Sequence, residues 1–259
     1  MTKSSAGVAR VITEVPGTGP LPRYEIPGWR ERFRVVAGLT GRGAEHVPFD
    51  LGLWTTQPVG EVMTRWRALR HAEPGFPAHV LGNQVHKDRV LWHEQIHEGW
   101  RLIEGVDGHA TRLPGLMLYV TVADCTPVFL VDPVEKAISL IHAGWRGTAA
   151  GILRRAVEAL SEHAGSKPED IVMHCGVAIC SDCYEVGSEV MEGLGLAVPG
   201  AGPWHADIRA VLSQQATQLG IKEISISGLC SAHDRKDFFS HRASGGTGGR
   251  MVAYFGIIP

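Results

Sequence analysis

Residues 116–145 constrain the fold most. LMLYVTVADC, TPVFLVD and KAISLIHAGW are three apolar runs of strand length, separated by short turn-like pieces. Runs this nearly continuous predict strands covered on both faces, because a sheet with one wet face alternates apolar and polar residues. Such strands need covering layers, and the chain carries helical patterns to supply them. GEVMTRWRALR (60–70) is one. GTAAGILRRAVEALSEHAG (147–165) has small and apolar residues spaced three and four apart and stops at Gly165. HADIRAVLSQQATQLG (205–220) closes at Gly220. RERFRVVAGLT, IVMHCGVAI, EISISG and RMVAYFGII read as further strands. The fold class predicted is α/β, an α+β mixed sheet flanked by helices in a single compact domain. A chain of 259 residues is long enough to bury its core.

The first 22 residues are rich in Gly, Pro, Ser and Thr and end in PGTGPLP, which predicts a flexible N-terminal tail or a loosely docked arm ahead of a domain spanning 23–259. They contain no apolar run suited to a signal peptide, and no stretch of 18 apolar residues occurs further on. The expectation is a cytoplasmic protein with no membrane partner and reduced thiols. Five cysteines are too few for a disulfide scaffold in a chain of this length. Lys plus Arg (25) and Asp plus Glu (27) leave a net charge of −2, which disfavours a nucleic-acid binder working through a broad basic surface. Thirteen His and five Cys remain as the residues suited to metal binding and chemistry near neutral pH.

His93-Glu94-Gln95-Ile96-His97 matches H-E-x-x-H, which binds zinc only on a helix, where both His share a face. Gly99 would cut such a helix short and Arg89–Trp92 reads as a strand, so a solvated polar stretch after a strand is expected instead. A stronger constellation joins three segments: Asn83-Gln84-Val85-His86, Ala123-Asp124-Cys125-Thr126-Pro127 and Ile141-His142-Ala143-Gly144-Trp145-Arg146-Gly147. Cys125 follows one predicted strand and His142 ends another, and strand ends can converge. One Cys and two His make a three-ligand zinc site with a fourth position open, where a bound water is acidified toward a pKa of about 7. The residues alone also allow a buried Cys with two hydrogen-bonded His, or a hydrolase with Cys125 as nucleophile and His142 as base. A multicopper oxidase would need closely paired His, and no His-x-His occurs.

The sequence resembles the laccase-domain family, formerly called multicopper polyphenol oxidases. The resemblance rests on Gln84-Val85-His86, Asp107-Gly108-xx-Thr111, Ala123-Asp124-Cys125-x-Pro127-Val128 and His142-Ala143-Gly144-Trp145-Arg146-Gly147. It continues through Cys183-Tyr184-Glu185-Val186-Gly187 to Phe239-Ser240-His241-Arg242 and Thr247-Gly248-Gly249-Arg250. It implies a zinc-dependent purine nucleoside phosphorylase, converting adenosine, inosine, guanosine or methylthioadenosine with phosphate to free base and ribose 1-phosphate, with adenosine deaminase activity besides. Its metal ligands fall on His86, Cys125 and His142; copper is a metal such a site could also take up in vitro. Purine nucleosides and phosphate are then the partners, and the chain a monomer or small homo-oligomer. The chain departs from the family pattern at Phe49-Asp50-Leu51-Gly52-Leu53, at Cys175-Gly176-Val177, at His241 in place of a Tyr, and in an extra Gly between Thr247 and Arg250.

The remaining candidates follow from their settings. Asp124, beside the Cys ligand, could orient a metal-bound His or move protons, so Asp124 and Cys125 are the expected catalytic pair. Arg146 precedes a predicted helix, where free N–H groups and positive charge suit phosphate. Arg242 and Arg250 flank Ser244–Gly249, a Gly-rich loop able to bring backbone N–H groups to an anion. With Asn83, these arginines are the expected substrate- and phosphate-binding set. Trp145 could stack on a purine. Cys180-Ser181-Asp182-Cys183 is one C-x-x-C pair, too few ligands for a structural zinc, and is read as incidental thiols; Cys175 and Cys230 are read as buried small residues.

Overall fold

The computed structural model describes residues 9–259. Two seven-stranded mixed sheets face each other. One runs in the spatial order Arg10–Val11, Glu223–Ile226, Val172–Cys175, Thr126–Asp132, Ala137–Ala143, Gly108–Thr111 and Val90–His93. The other runs Val15–Pro16, Arg23–Glu25, Val35–Thr40, Met251–Ile257, Leu116–Val122, Ala78–Asn83 and Gly99–Glu104. Successive side chains on a strand point to opposite faces. Leu118, Val120, Phe129, Val131, Ile138 and Leu140 accordingly fill the core between the sheets. Val128, Leu130 and Ile141 turn outward to pack under the helices Ile152–Ala164 and Ile208–Leu219. Met117 and Tyr119 turn outward on the opposite sheet, against Val62, Trp66 and Leu69 of the helix Val59–His71. The result is a helix–sheet–sheet–helix stack, and it explains why the 116–143 strands show no polar face.

Three local expectations are corrected. Residues 30–33 are not strand: Trp29–Phe33 forms a short helix, and the strand begins at Val35. The helix expected from 147 breaks into Trp145–Ala150 and Ile152–Ala164, because Gly151 sits at φ 87°, a left-handed conformation that glycine reaches without steric cost. The flexible tail or loosely docked arm expected over 1–22 is, where it is described, a firmly docked one; residues 1–8 lie outside the described residues. Arg10 and Val11 pair in parallel with Ser225 and Ile226, and Val15 and Pro16 pair with Glu25 and Tyr24. Between them the buried carboxylate of Glu14 accepts hydrogen bonds from the Val177 N–H and the Ser227 hydroxyl and contacts His174 Nε2. Composition counted Gly and Pro but could not show that one acidic side chain closes three buried polar groups.

The packed layers bury several His in neutral form. His79 lies beside the Tyr119 hydroxyl at 3.1 Å and His93 Nε2 lies 3.0 Å from His109 Nδ1. Burial, aided by nearby arginines, pushes His79 and His93 each down to about 4 from 6.5. Below pH 6.5 the unfolded chain therefore binds protons that the native chain refuses, so stability falls as pH drops from 6.5 toward 4, on the order of 3 kcal/mol per histidine at pH 4. Urea unfolding of the metal-stripped chain at pH 7 and pH 4.5 checks this: His79→Asn should flatten the acid-side loss, and an unchanged slope contradicts the assignment.

Candidate metal centre

The chain crosses from one sheet to the other at Ala123–Cys125, between the strands Leu116–Val122 and Thr126–Asp132. Thr126 pairs with Ala143 and Pro127 with His142, so register alone brings Cys125 close to His142. Ala78–Asn83 runs parallel to Leu116–Val122, so its C-terminal end delivers His86 to the same place. One ligand atom each from His86, Cys125 and His142 lies within 4.8 Å of the others, and the two imidazole rings meet nearly edge-on at 78°.

Asp107 organises this convergence. It is fully buried, and its carboxylate accepts hydrogen bonds from the backbone N–H groups of Val85, His86 and Lys87, which hold His86 in a left-handed conformation at φ 58°. The same carboxylate lies 3.0 Å from His142 Nδ1. An ionised carboxylate only accepts, so Nδ1–H donates and Nε2 is the nitrogen that would ligate a metal, which displaces the Nε2 proton on binding. Burial opposes ionisation of Asp107, yet the bonds from His142 and from the N–H groups of Lys87 and Val85 hold its pKa below the usual value. Burial likewise opposes charge on Cys125, but His142 and His86 draw its thiol down to about 6. His142 moves the other way, to about 9, because the attraction of Cys125 and the bond to Asp107 outweigh burial. A thiolate facing two imidazoles, one with its tautomer fixed, suits a metal: a Cys–His hydrolase needs a single base, and the second imidazole has no task in it.

Gly144 leaves room for the group. A Cβ there would stand 3.0 Å from Cys125 Sγ and 3.2 Å from the His86 ring. Gly144→Ala is expected to displace both ligands and lower metal affinity about tenfold, within the ~1–3 kcal/mol typical of overpacking; titration with a chromophoric chelator measures it, and unchanged affinity would show that the close packing is immaterial.

His86, Cys125 and His142 line a cavity of about 350 Å³, together with Trp54, Asn83, Gln84, Thr121, Ala123, His241 and Arg250. Such a volume accommodates a small organic ligand.

Residues 43–258 match the family described as multi-copper polyphenol oxidoreductase laccase. The chain belongs to this family. Its relatives include purine nucleoside phosphorylase YlmD of Bacillus subtilis (strain 168), 33% identical over 251 residues, which cover 86% of this chain and 88% of that protein. Adenosine deaminase RL5, from an unknown prokaryotic organism, is 34% identical over 189 residues, 66% of this chain and 72% of that one. The crystal structure of YlmD from Geobacillus stearothermophilus superposes with a TM-score of 0.85 at 27% identity, covering 95% of this chain and all of that one.

Within this laccase-family chain the expected site residues separate into two groups. His86, Cys125, His142, Asn83 and Arg250 share the cavity. Asp124, Arg146 and Arg242 do not line it. Asp124, at φ 84°, accepts from the Ser231 hydroxyl and the Arg242 N–H, both at 2.7 Å, so it ties the metal-centre turn to the late loop. Arg242 donates to the Glu185 carbonyl and lies over the Tyr184 ring. Arg146 is exposed, 4.3 Å over the Trp145 ring, and Trp145 itself packs among Val186, Met191 and neighbouring apolar residues. Most amides of the Gly-rich loop are taken up within the loop: the N–H groups of residues 244–248 bond to acceptors within 240–244, and that of Arg250 to Asp50. The H-E-x-x-H stretch forms no helix; His93 ends a strand and is buried against His109, not solvated, while His97 is exposed.

Three residues escaped sequence reasoning. Asp107 lay inside a quoted motif, and only the N–H groups around it reveal its task. His241 was noted as a departure and turns out to face the cavity; Trp54 carried no local signal at all.

Proposed function

We propose that this protein is a zinc-dependent purine nucleoside phosphorylase that also deaminates adenosine at the same centre. The observation that carries the reading is the convergence of His86, Cys125 and His142 on an open cavity, with Asp107 fixing the ligand tautomer; the names of the relatives support the reaction class. Zinc fits the donor set of one thiolate and two imidazoles and, when bound, supplies Lewis acidity at its remaining position. Trp54 offers an aromatic face for the purine, and Arg250 and His241 supply positive charge and a hydrogen-bond donor for phosphate. Asn83 and Gln84 border the same space, Gln84 being fixed by three hydrogen bonds to Thr121. Asp124 acts by position, holding the loop that carries Arg242 and His241 against the cavity. In phosphorolysis a phosphate oxygen bonds to ribose C1′, the glycosidic bond breaks, and its electron pair leaves with the base, which takes up a proton. A cytoplasmic protein, monomeric or a small homo-oligomer, with nucleosides and phosphate as its partners, completes the reading.

The zinc-loaded protein should be incubated with adenosine, inosine, guanosine and methylthioadenosine, with and without phosphate. Free base should appear only with phosphate, and inosine should form from adenosine without it. Zinc-loaded protein that leaves every nucleoside intact would overturn the proposal.

A further inference from the structure

A second group of thiols converges outside the cavity. Cys180, Cys183, Cys230 and His233 place one ligand atom each within 4.8 Å of one another. The topology causes this. Val172–Cys175 and Glu223–Ile226 are parallel neighbours with Cys175 opposite Ile226, so the loops leaving both strands emerge at the same end. Ala178 then bridges to Cys230, extending the alignment to the second pair. His233 lies between two sulfurs, with Nδ1 3.5 Å from Cys180 Sγ and Nε2 3.2 Å from Cys183 Sγ. The Cys180 N–H donates to Cys230 Sγ at 3.3 Å.

We infer that Cys180, Cys183, Cys230 and His233 form a structural zinc site. Three thiolates and one imidazole complete a closed tetrahedral set, and soft sulfur ligands select zinc over the hard cations. With Zn–S bonds near 2.3 Å, a tetrahedron sets its sulfurs roughly 3.8 Å apart, within reach of the present spacing after small rotamer changes. The C-x-x-C thus has its partner in Cys230-Ser231-Ala232-His233, and each half supplies two ligands. The zinc joins the loop carrying Tyr184 and Glu185 to the loop carrying Ser231 and Arg242. These loops already meet through Arg242 on Glu185 and Ser231 on Asp124. The site is a staple for the wall beside the cavity, and it stands or falls apart from the proposed activity.

The test uses the Cys125→Ala chain, which removes the thiolate of the first centre. Saturated with zinc and then dialysed, it should retain about one zinc per chain, lost when Cys180→Ser and Cys183→Ser are added. After cobalt exchange the same Cys125→Ala chain should show near-ultraviolet thiolate-to-cobalt absorption and tetrahedral visible bands, a readout that does not depend on the serine variants folding. His233→Ala, at an exposed position, should weaken these bands and lower the thermal midpoint. A Cys125→Ala chain that holds no zinc, a cobalt form without thiolate absorption, or a Cys180–Cys183 disulfide in protein purified under reducing conditions and alkylated unfolded would overturn the inference.

Discussion

Cys125→Ala is expected to cut phosphate-dependent base release by at least a thousandfold, about 4 kcal/mol of barrier, while leaving a folded chain. Cys125 is the one anionic donor among the three, and both neighbouring imidazoles point at it; its thiol lies near 6 because of them. Removing it leaves two neutral donors, which hold a divalent ion weakly. The side chain is only half-buried at the sheet-to-sheet crossing, and Ala fits the same backbone, so far-ultraviolet circular dichroism should match the parent. Residual activity within tenfold of the parent would show that chemistry proceeds elsewhere.

Asp107→Ala should fail in two ways at once. His142 loses the acceptor that fixes its tautomer, which typically costs a metal site about 10–100-fold in affinity or activity. The N–H groups of Val85, His86 and Lys87 lose theirs as well; these residues are exposed and water can replace part of the loss, so each costs a fraction of the about 1–3 kcal/mol of a fully buried donor. The variant should therefore unfold at lower urea even when stripped of metal. Asp107→Asn separates the effects: its one carbonyl oxygen can still accept from the Val85 and Lys87 N–H groups, whereas its NH2 then faces the His86 N–H and the His142 Nδ1 and no longer favours the Nδ1–H tautomer. It should keep more stability than Asp107→Ala and lose comparable metal affinity. Equal stability losses in both variants would show that charge, not the count of hydrogen bonds, governs the loop.

The strands of 116–143 were legible because both of their faces are apolar, which only a layered α/β architecture provides. That there are two sheets was not legible, since a strand shows that it is covered but not by what. The convergence of the candidate ligands was legible through Cys125 and His142 at strand ends and through the family resemblance. Asp107 was not, because a carboxylate's task is set by the backbone N–H groups that tertiary folding brings to it. Arg146 and Arg242 looked suited to phosphate by charge and neighbours; the sequence could not show that Arg146 lies over Trp145, or that Arg242 lies over Tyr184 and donates to the Glu185 carbonyl, outside the cavity lining. Cys180 and Cys183 looked incidental because their partners follow about 50 residues later and meet them only through a parallel strand pair.

Zinc content by plasma emission, compared between the parent and Cys125→Ala after identical saturation and dialysis, tests the central claim most directly. The account predicts two zinc ions per parent chain and one per variant chain, a difference of one whatever the state of the second cluster. Equal zinc in the two proteins would contradict the assignment of His86, Cys125 and His142 as a metal centre.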